Sequence, residues 1–265
     1  MIIGQVKARQ LLAAVANTRS NILLVGSPGT GKTLLARAYL SRFKGRCLEL
    51  TGSKDIPSTY VNYTTVFIDE AHRLKNPELL FPLLADEGTW SLFPWGGRKK
   101  HVFAMATTDQ GLMFPALVSR LTMVAIEPYS EEEICAIVRQ LIPRQPAEIA
   151  SNIAYFSHRN PRRAEKLVEI VTASRIVDTI PHILDILGYR GGFNAQERQF
   201  VAMLRSGPRS VSTLSGMLGV GTRTIKTIES ALIAADMVEI TSKGRSLTAK
   251  GYDYADYFSK ESINV

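Results

Sequence analysis

Cysteine is nearly absent from this chain of 265 residues: Cys47 and Cys135 stand far apart, with no Cys-x-x-Cys pair and no histidine beside either. That excludes a disulfide scaffold and the common zinc sites, and it fits a reducing compartment. No apolar run approaches the roughly 20 residues that a membrane-spanning helix needs. Residues 1–5, Met-Ile-Ile-Gly-Gln, lack the charged-then-apolar layout of a secretion signal. Internal repeats and low-complexity tracts are missing as well. What remains is 45% hydrophobic and 21% charged, an ordinary globular composition. The length suits two or three modules whose cores need no staples. A soluble, cytoplasmic chain without membrane contact is expected.

Basic residues outnumber acidic ones by 32 to 24, a net charge of +8 with a pI near 9.5. The excess is uneven: residues 1–129 carry +6, 130–189 carry −1, and 190–265 carry +3. Such a balance permits a polyanionic partner without proving one.

The first block alternates short apolar runs with helical spacing. Asn21–Val25, Thr65–Ile68 and Val102–Ala106 read as buried strands, and Thr33–Phe43 reads as a helix. Strands that are apolar throughout and alternate with helices predict a parallel sheet covered on both faces. Near Pro128 the pattern changes: Ser130 and Glu133 form a capping-box signature, and helical patterning continues to about residue 189. Gly191-Gly192 marks a second break. Asn194 and Glu197 then open a helix to about Arg205, Ser212–Leu218 and Thr222–Ala235 follow, and Met237–Thr241 with Ser246–Thr248 reads as a hairpin. The expected modules are therefore an α/β domain over 1–128, a small helical domain over 129–189 and a winged helix over 190–265.

Gly26-Ser27-Pro28-Gly29-Thr30-Gly31-Lys32-Thr33 fits the phosphate-binding loop G-x-x-x-x-G-K-[ST]. Its glycines let backbone N–H groups close on a phosphate, and the following helix adds its positive end. Lys32 is expected on the β- and γ-phosphates of ATP, with the Thr33 hydroxyl on Mg²⁺. The loop follows an apolar strand and opens a helix, the context that gives the motif its meaning. Val66-Phe67-Ile68-Asp69-Glu70 is an apolar strand ending in two carboxylates. Asp69 would hold the metal through water, and Glu70 would polarise the attacking water. Asp69-Glu70-Ala71-His72 also spells the DEAH box of superfamily-2 helicases. The 193 residues after His72 leave no room for a second helicase lobe. The spelling is therefore read as coincidence, and His72 as a helix-start residue.

In this order the motifs resemble the AAA+ ATPases. That resemblance implies further roles: Thr108, in Ala106-Thr107-Thr108, would orient the attacking water, and Arg120, in Leu117–Leu121, would be the arginine finger lent to a neighbouring subunit. Pro161-Arg162 opens a helix as the second sensor arginine does. A finger supplied in trans is worth roughly 10³–10⁵ in rate and makes hydrolysis depend on oligomerisation, so a ring, a hexameric one, is implied.

Within the AAA+ class the chain resembles the RuvB family of Holliday-junction branch-migration motors from about residue 2 to about 256. Ile3-Gly4-Gln5 is similar to that family's adenine-side box, which places Ile3 near the base. Asp69-Glu70-Ala71-His72-Arg73-Leu74, Asn160-Pro161-Arg162 and Lys243-Gly244-Arg245 resemble further segments of it. Val118-Ser119-Arg120-Leu121 keeps one of the two arginines found there. The shortened insertion Trp90–Lys100, with two tryptophans and three consecutive cations, is either a protein-docking tip or a nucleic-acid platform, or its tryptophans are core. In the winged helix, Arg209, Arg223, Lys226, Lys243 and Arg245 are the expected phosphate contacts with DNA. The module also suits a protein-interaction wing. Two functions stay open: an ATP-driven motor that moves duplex DNA, and a nucleotide-switched loader that places a helicase or another protein on DNA. A small-molecule kinase is disfavoured by the winged helix and the acidic pair.

Overall fold

Strand β1 (Ile22–Val25) sends alternate side chains to opposite faces of a parallel sheet. Ile22 and Leu24 join the core under helices α1 (Val6–Ala16) and α2 (Lys32–Leu40), whereas Leu23 joins a second core on the other face. In this computed structural model residues 2–84, 101–173 and 188–261 are described. They fall into one unit up to Glu127 and another from Pro128.

The first unit holds five parallel strands in the order β2-β3-β4-β1-β5: β2 (Cys47–Thr51), β3 (Thr65–Asp69), β4 (Val102–Thr107) and β5 (Thr122–Ala125) join β1. Residues Val102–Thr107 are buried throughout, as a central parallel strand requires. The edge strand β2 alternates exposed with half-buried residues, and β5 is short and partly exposed. Neither has the continuous apolar run that marks the central strands, so pattern reading does not pick them out. Short helices α3 (Phe81–Leu84) and α4 (Pro115–Val118) cover the second face through Leu84 and Leu117.

The second unit contains two cores. Helices α5 (Glu131–Leu141), α6 (Ala147–Phe156) and α7 (Pro161–Ala173) bury Ile134, Val138, Ile153 and Leu167 together. The expected capping box forms in full: Glu133 N–H donates to Ser130 Oγ at 3.1 Å, and Ser130 N–H donates to Glu133 Oε2 at 2.9 Å. The winged helix follows as α8 (Ala195–Leu204), α9 (Val211–Leu218), α10 (Thr222–Ala234), the antiparallel pair β6 (Val238–Thr241) and β7 (Gly244–Leu247), and α11 (Ala249–Glu261). Its core is built on Phe193, Phe200, Leu214, Ile225, Leu232 and Leu247. The final helix α11 was not marked by sequence, because its tyrosine-rich stretch lacks an apolar stripe.

The turn before α7 ties the two cores together. His158 and Arg159 both take positive φ, 48° and 60°, an uncommon pair for non-glycine residues. The imidazole of His158 stacks on Phe193 with ring centroids 4.2 Å apart. Arg163 reaches the Gly192 carbonyl and the Glu197 carboxylate.

Candidate nucleotide site

The loop Gly26–Thr33 leaves the end of β1 and opens α2. Gly29 and Gly31 hold φ of 78° and 86°, a region that a side chain would strain. Gly26 is required for a different reason: a Cβ there would lie 2.9 Å from Ile126 Cβ. Helix α2 has no side-chain N-cap, so its first amides remain directed at the loop. Lys32 is buried, and its ammonium donates to Gly26 O at 2.8 Å and Ser27 O at 2.7 Å. Thr30 Oγ1 donates to Ser27 O and closes the turn around Pro28.

The carboxylates expected opposite this loop are there. Thr33 Oγ1 donates to Asp69 Oδ2 at 3.1 Å, and Asp69 Oδ1 accepts the Glu70 N–H at 2.9 Å. These two hard oxygens, brought together at the end of the loop, suit a small divalent cation. Glu70 itself adopts a left-handed backbone, φ 51° and ψ 48°, a cost tolerated where the surroundings fix it. The carbonyl of Glu70 packs onto Gly52, where a Cβ would come within 2.4 Å of that oxygen, and Gly52 N–H donates to Asp69 O. Gly52 was missed from sequence because nothing local marks it; only its approach to Glu70 shows why it must lack a side chain.

Sheet order decides what sits between loop and carboxylates. Strand β4 lies between β1 and β3, so its C-terminal end, Thr107 and Thr108, falls between them. Thr108 Oγ1 donates to Glu70 Oε2 at 3.1 Å. Thr107 is fully buried and contacts His72 Nδ1 at 2.9 Å. His72, read as a helix-start residue, is the middle residue of the short 3₁₀ turn Ala71–Arg73, and its ring packs into the carboxylate cluster.

Within the first unit, Arg120 and Ile3 make no described hydrogen bond to this cluster. Arg120 is exposed; its Nη1 donates to Ala116 O at 2.6 Å and its guanidinium lies 5.1 Å from the Phe81 ring centroid. Arg162 is exposed at the start of α7, in the second unit. Ile3 is half-buried beside Gln5, whose amide donates to Glu127 O and accepts from Glu127 N–H, pinning the box to the end of the first unit. Among the five winged-helix cations, Arg223, Lys226 and Lys243 are exposed. Arg245 forms a two-pronged pair with Glu229 at 2.7 and 3.0 Å, and Arg209 donates to Met203 O and Ser206 Oγ. The hairpin Trp90–Lys100 lies outside the described residues. Among the described residues no His/Cys/Asp/Glu group of three has the arrangement of a protein metal cage, and no helix is long and apolar enough to cross a membrane.

Comparison with known proteins bears on the domains and the fold. Residues 22–129 match the ATPase family associated with various cellular activities (AAA), and residues 190–256 match the RuvB C-terminal winged helix domain. The Holliday junction branch migration complex subunit RuvB of Mesomycoplasma hyopneumoniae (strain 7448) is 28% identical, with 95% of this chain and 93% of that protein covered. The Thermotoga maritima RuvB Holliday junction branch migration motor superposes with a TM-score of 0.81 at 24% identity, covering 96% of this chain and 95% of that one. A proline-to-glycine variant of the same Thermotoga protein gives 0.81 at 25% identity, covering 96% of each chain. A phosphate loop, an acidic pair and a polar strand end between them define an ATPase of the AAA+ class. With its C-terminal winged helix, the chain is a RuvB-like AAA+ ATPase, and it binds and hydrolyses nucleotide.

Proposed function

We propose that this chain is an oligomeric motor that moves duplex DNA by ATP hydrolysis, of the branch-migration type for which its relatives are named. The observation that carries the reading is the combination, in one chain, of a nucleotide site whose expected finger Arg120 is held elsewhere and a winged helix presenting exposed cations. A site of that kind is completed by a second copy.

The residues divide the work. Lys32 leaves the loop carbonyls for the β- and γ-phosphates, while the backbone of Gly26–Gly31 cradles them and Ile3 flanks the base. Thr33 and Asp69 would hold Mg²⁺, which would neutralise charge on the phosphates. Glu70 polarises the attacking water and Thr108 orients it. Arg120 of an adjoining copy meets the charge that builds on the γ-phosphoryl oxygens, and Arg162 reports occupancy to the helical lid. The proposed modules are 1–128 for the ATPase, 129–189 for the lid and 190–265 for DNA, assembled as a hexameric ring in the cytoplasm. Arg223, Lys226 and Lys243 meet phosphates without reading sequence. Arg209 and Arg245, engaged within the fold, shape the root of the wing.

The test is ATP hydrolysis with and without duplex, forked and four-way DNA, combined with strand displacement on the four-way substrate. Stimulation by DNA together with branch movement is expected. Stimulation with no movement would favour a nucleotide-switched loader instead.

A further inference from the structure

The histidine of Asp69-Glu70-Ala71-His72 has no part in the roles given above, yet it is buried against them. The left-handed Glu70 turns the chain out of β3, the 3₁₀ turn Ala71–Arg73 follows, and the imidazole meets the end of β4. Its side chain is 11% exposed; Nδ1 lies 2.9 Å from Thr107 Oγ1 and 3.4 Å from Glu70 Oε2.

The hydrogen bonds around Thr107 decide which ring nitrogen carries the proton. Thr107 Oγ1 donates to Asp109 O at 3.0 Å and accepts from Asp109 N–H at 3.1 Å. A hydroxyl has a single hydrogen, and here it is spent on Asp109 O. The contact with His72 must therefore be donated by the ring, so Nδ1 is protonated. Glu70 leads to the same tautomer: a bare Nδ1 lone pair 3.4 Å from Oε2 would repel the carboxylate, whereas an N–H attracts it. Thr108 Oγ1 donates to that same oxygen at 3.1 Å.

We propose that His72 is a positioning residue for ATP hydrolysis. Its Nδ1–H donates to Thr107 and turns the positive edge of the ring toward Glu70 Oε2, 3.4 Å away, an electrostatic attraction that acts with the hydrogen bond from the Thr108 hydroxyl to hold that oxygen against the end of β4. That leaves Glu70 Oε1 for the attacking water. The proposal rests on Glu70 as the water-polarising carboxylate, and displacement of such a group by about 1 Å can cost on the order of a hundredfold in rate.

Three substitutions in the full chain separate this role from simple packing. His72→Leu keeps the volume and removes the donor. His72→Asn puts an amide N–H near the place of Nδ1, and His72→Gln puts one near the place of Nε2. The leucine and glutamine variants are expected to lose roughly tenfold to a hundredfold in kcat, with binding of a fluorescent N-methylanthraniloyl ATP and KM within about threefold of the parent. The asparagine variant is expected to regain most of kcat. Full kcat in the leucine variant, an asparagine variant as slow as leucine, or a loss traced to ATP binding or melting temperature would overturn the proposal. Glu70→Gln is run alongside: if it still hydrolyses ATP, the role of Glu70 fails rather than that of His72 alone.

Discussion

Arg163 of α7 donates to both carboxylate oxygens of Glu197 in α8, at 3.0 and 3.2 Å, and that carboxylate also accepts the Asn194 N–H that starts α8. A single side chain thus joins the helix that opens with Pro161-Arg162 to the first helix of the winged module. Both partners are largely withdrawn from water, with side-chain exposures of 15% and 6%.

Breaking such a pair leaves one charge buried without its partner, which typically costs about 3–5 kcal/mol. Arg163→Met is expected to destabilise the second unit by about 3 kcal/mol, read as a lower urea midpoint at unchanged slope. A midpoint equal to the parent's would show that the pair contributes nothing.

His158 gives the same joint a pH dependence. Burial, and next the charge of Arg163, push its pKa down from 6.5 to about 3. The folded protein keeps the ring neutral while the unfolded chain takes up a proton below about 6.5. Stability is therefore full above that pH and falls toward about 3, by up to about 1.4 kcal/mol per unit. His158→Phe, which retains the stack on Phe193, should flatten this part of a stability-against-pH curve relative to the parent.

Lys32→Ala should abolish ATP binding, because no other described cation lies in the loop; the check is loss of the ATP-induced rise in melting temperature. Glu70→Gln should bind ATP and fail to turn it over, which would appear as a long-lived nucleotide-bound assembly in size-exclusion chromatography.

Arg120→Ala should retain ATP affinity within about threefold while hydrolysis falls by roughly 10³. Mixing Arg120→Ala with Lys32→Ala chains should recover part of the activity, since each copy lends what the other lacks. No recovery across a range of mixing ratios would rule out a finger supplied in trans.

Replacing Arg223, Lys226 and Lys243 together by Ala should weaken duplex DNA binding and lower the salt dependence. About 0.9 of logarithmic slope is lost per phosphate contact, so a decrease of roughly two to three is expected. Arg245→Ala should act on stability first, because it strands Glu229, which is only 9% exposed. Equal salt slopes in parent and triple variant would place the DNA on another surface.

What the sequence determined by itself is the chemistry that depends on neighbours along the chain. The phosphate loop needs glycines at fixed offsets between a strand and a helix, and both capping boxes need a polar residue three positions before a glutamate; such rules act within one or two turns. The central strands were legible because burial on both faces demands an unbroken apolar run, whereas β2 and β5 carry no such mark. Tertiary structure alone decided the rest. The order of strands places Thr107 and Thr108 between loop and carboxylates, Gly52 is needed because Glu70 O packs on it, and His72 acquires Thr107, 35 positions away, as its neighbour. It also sorted the winged-helix cations: Arg245 meets Glu229 on another element, and Lys243 meets none of the described acids. Contacts across such separations depend on where the sheet and helices pack, which no local pattern of residue types encodes.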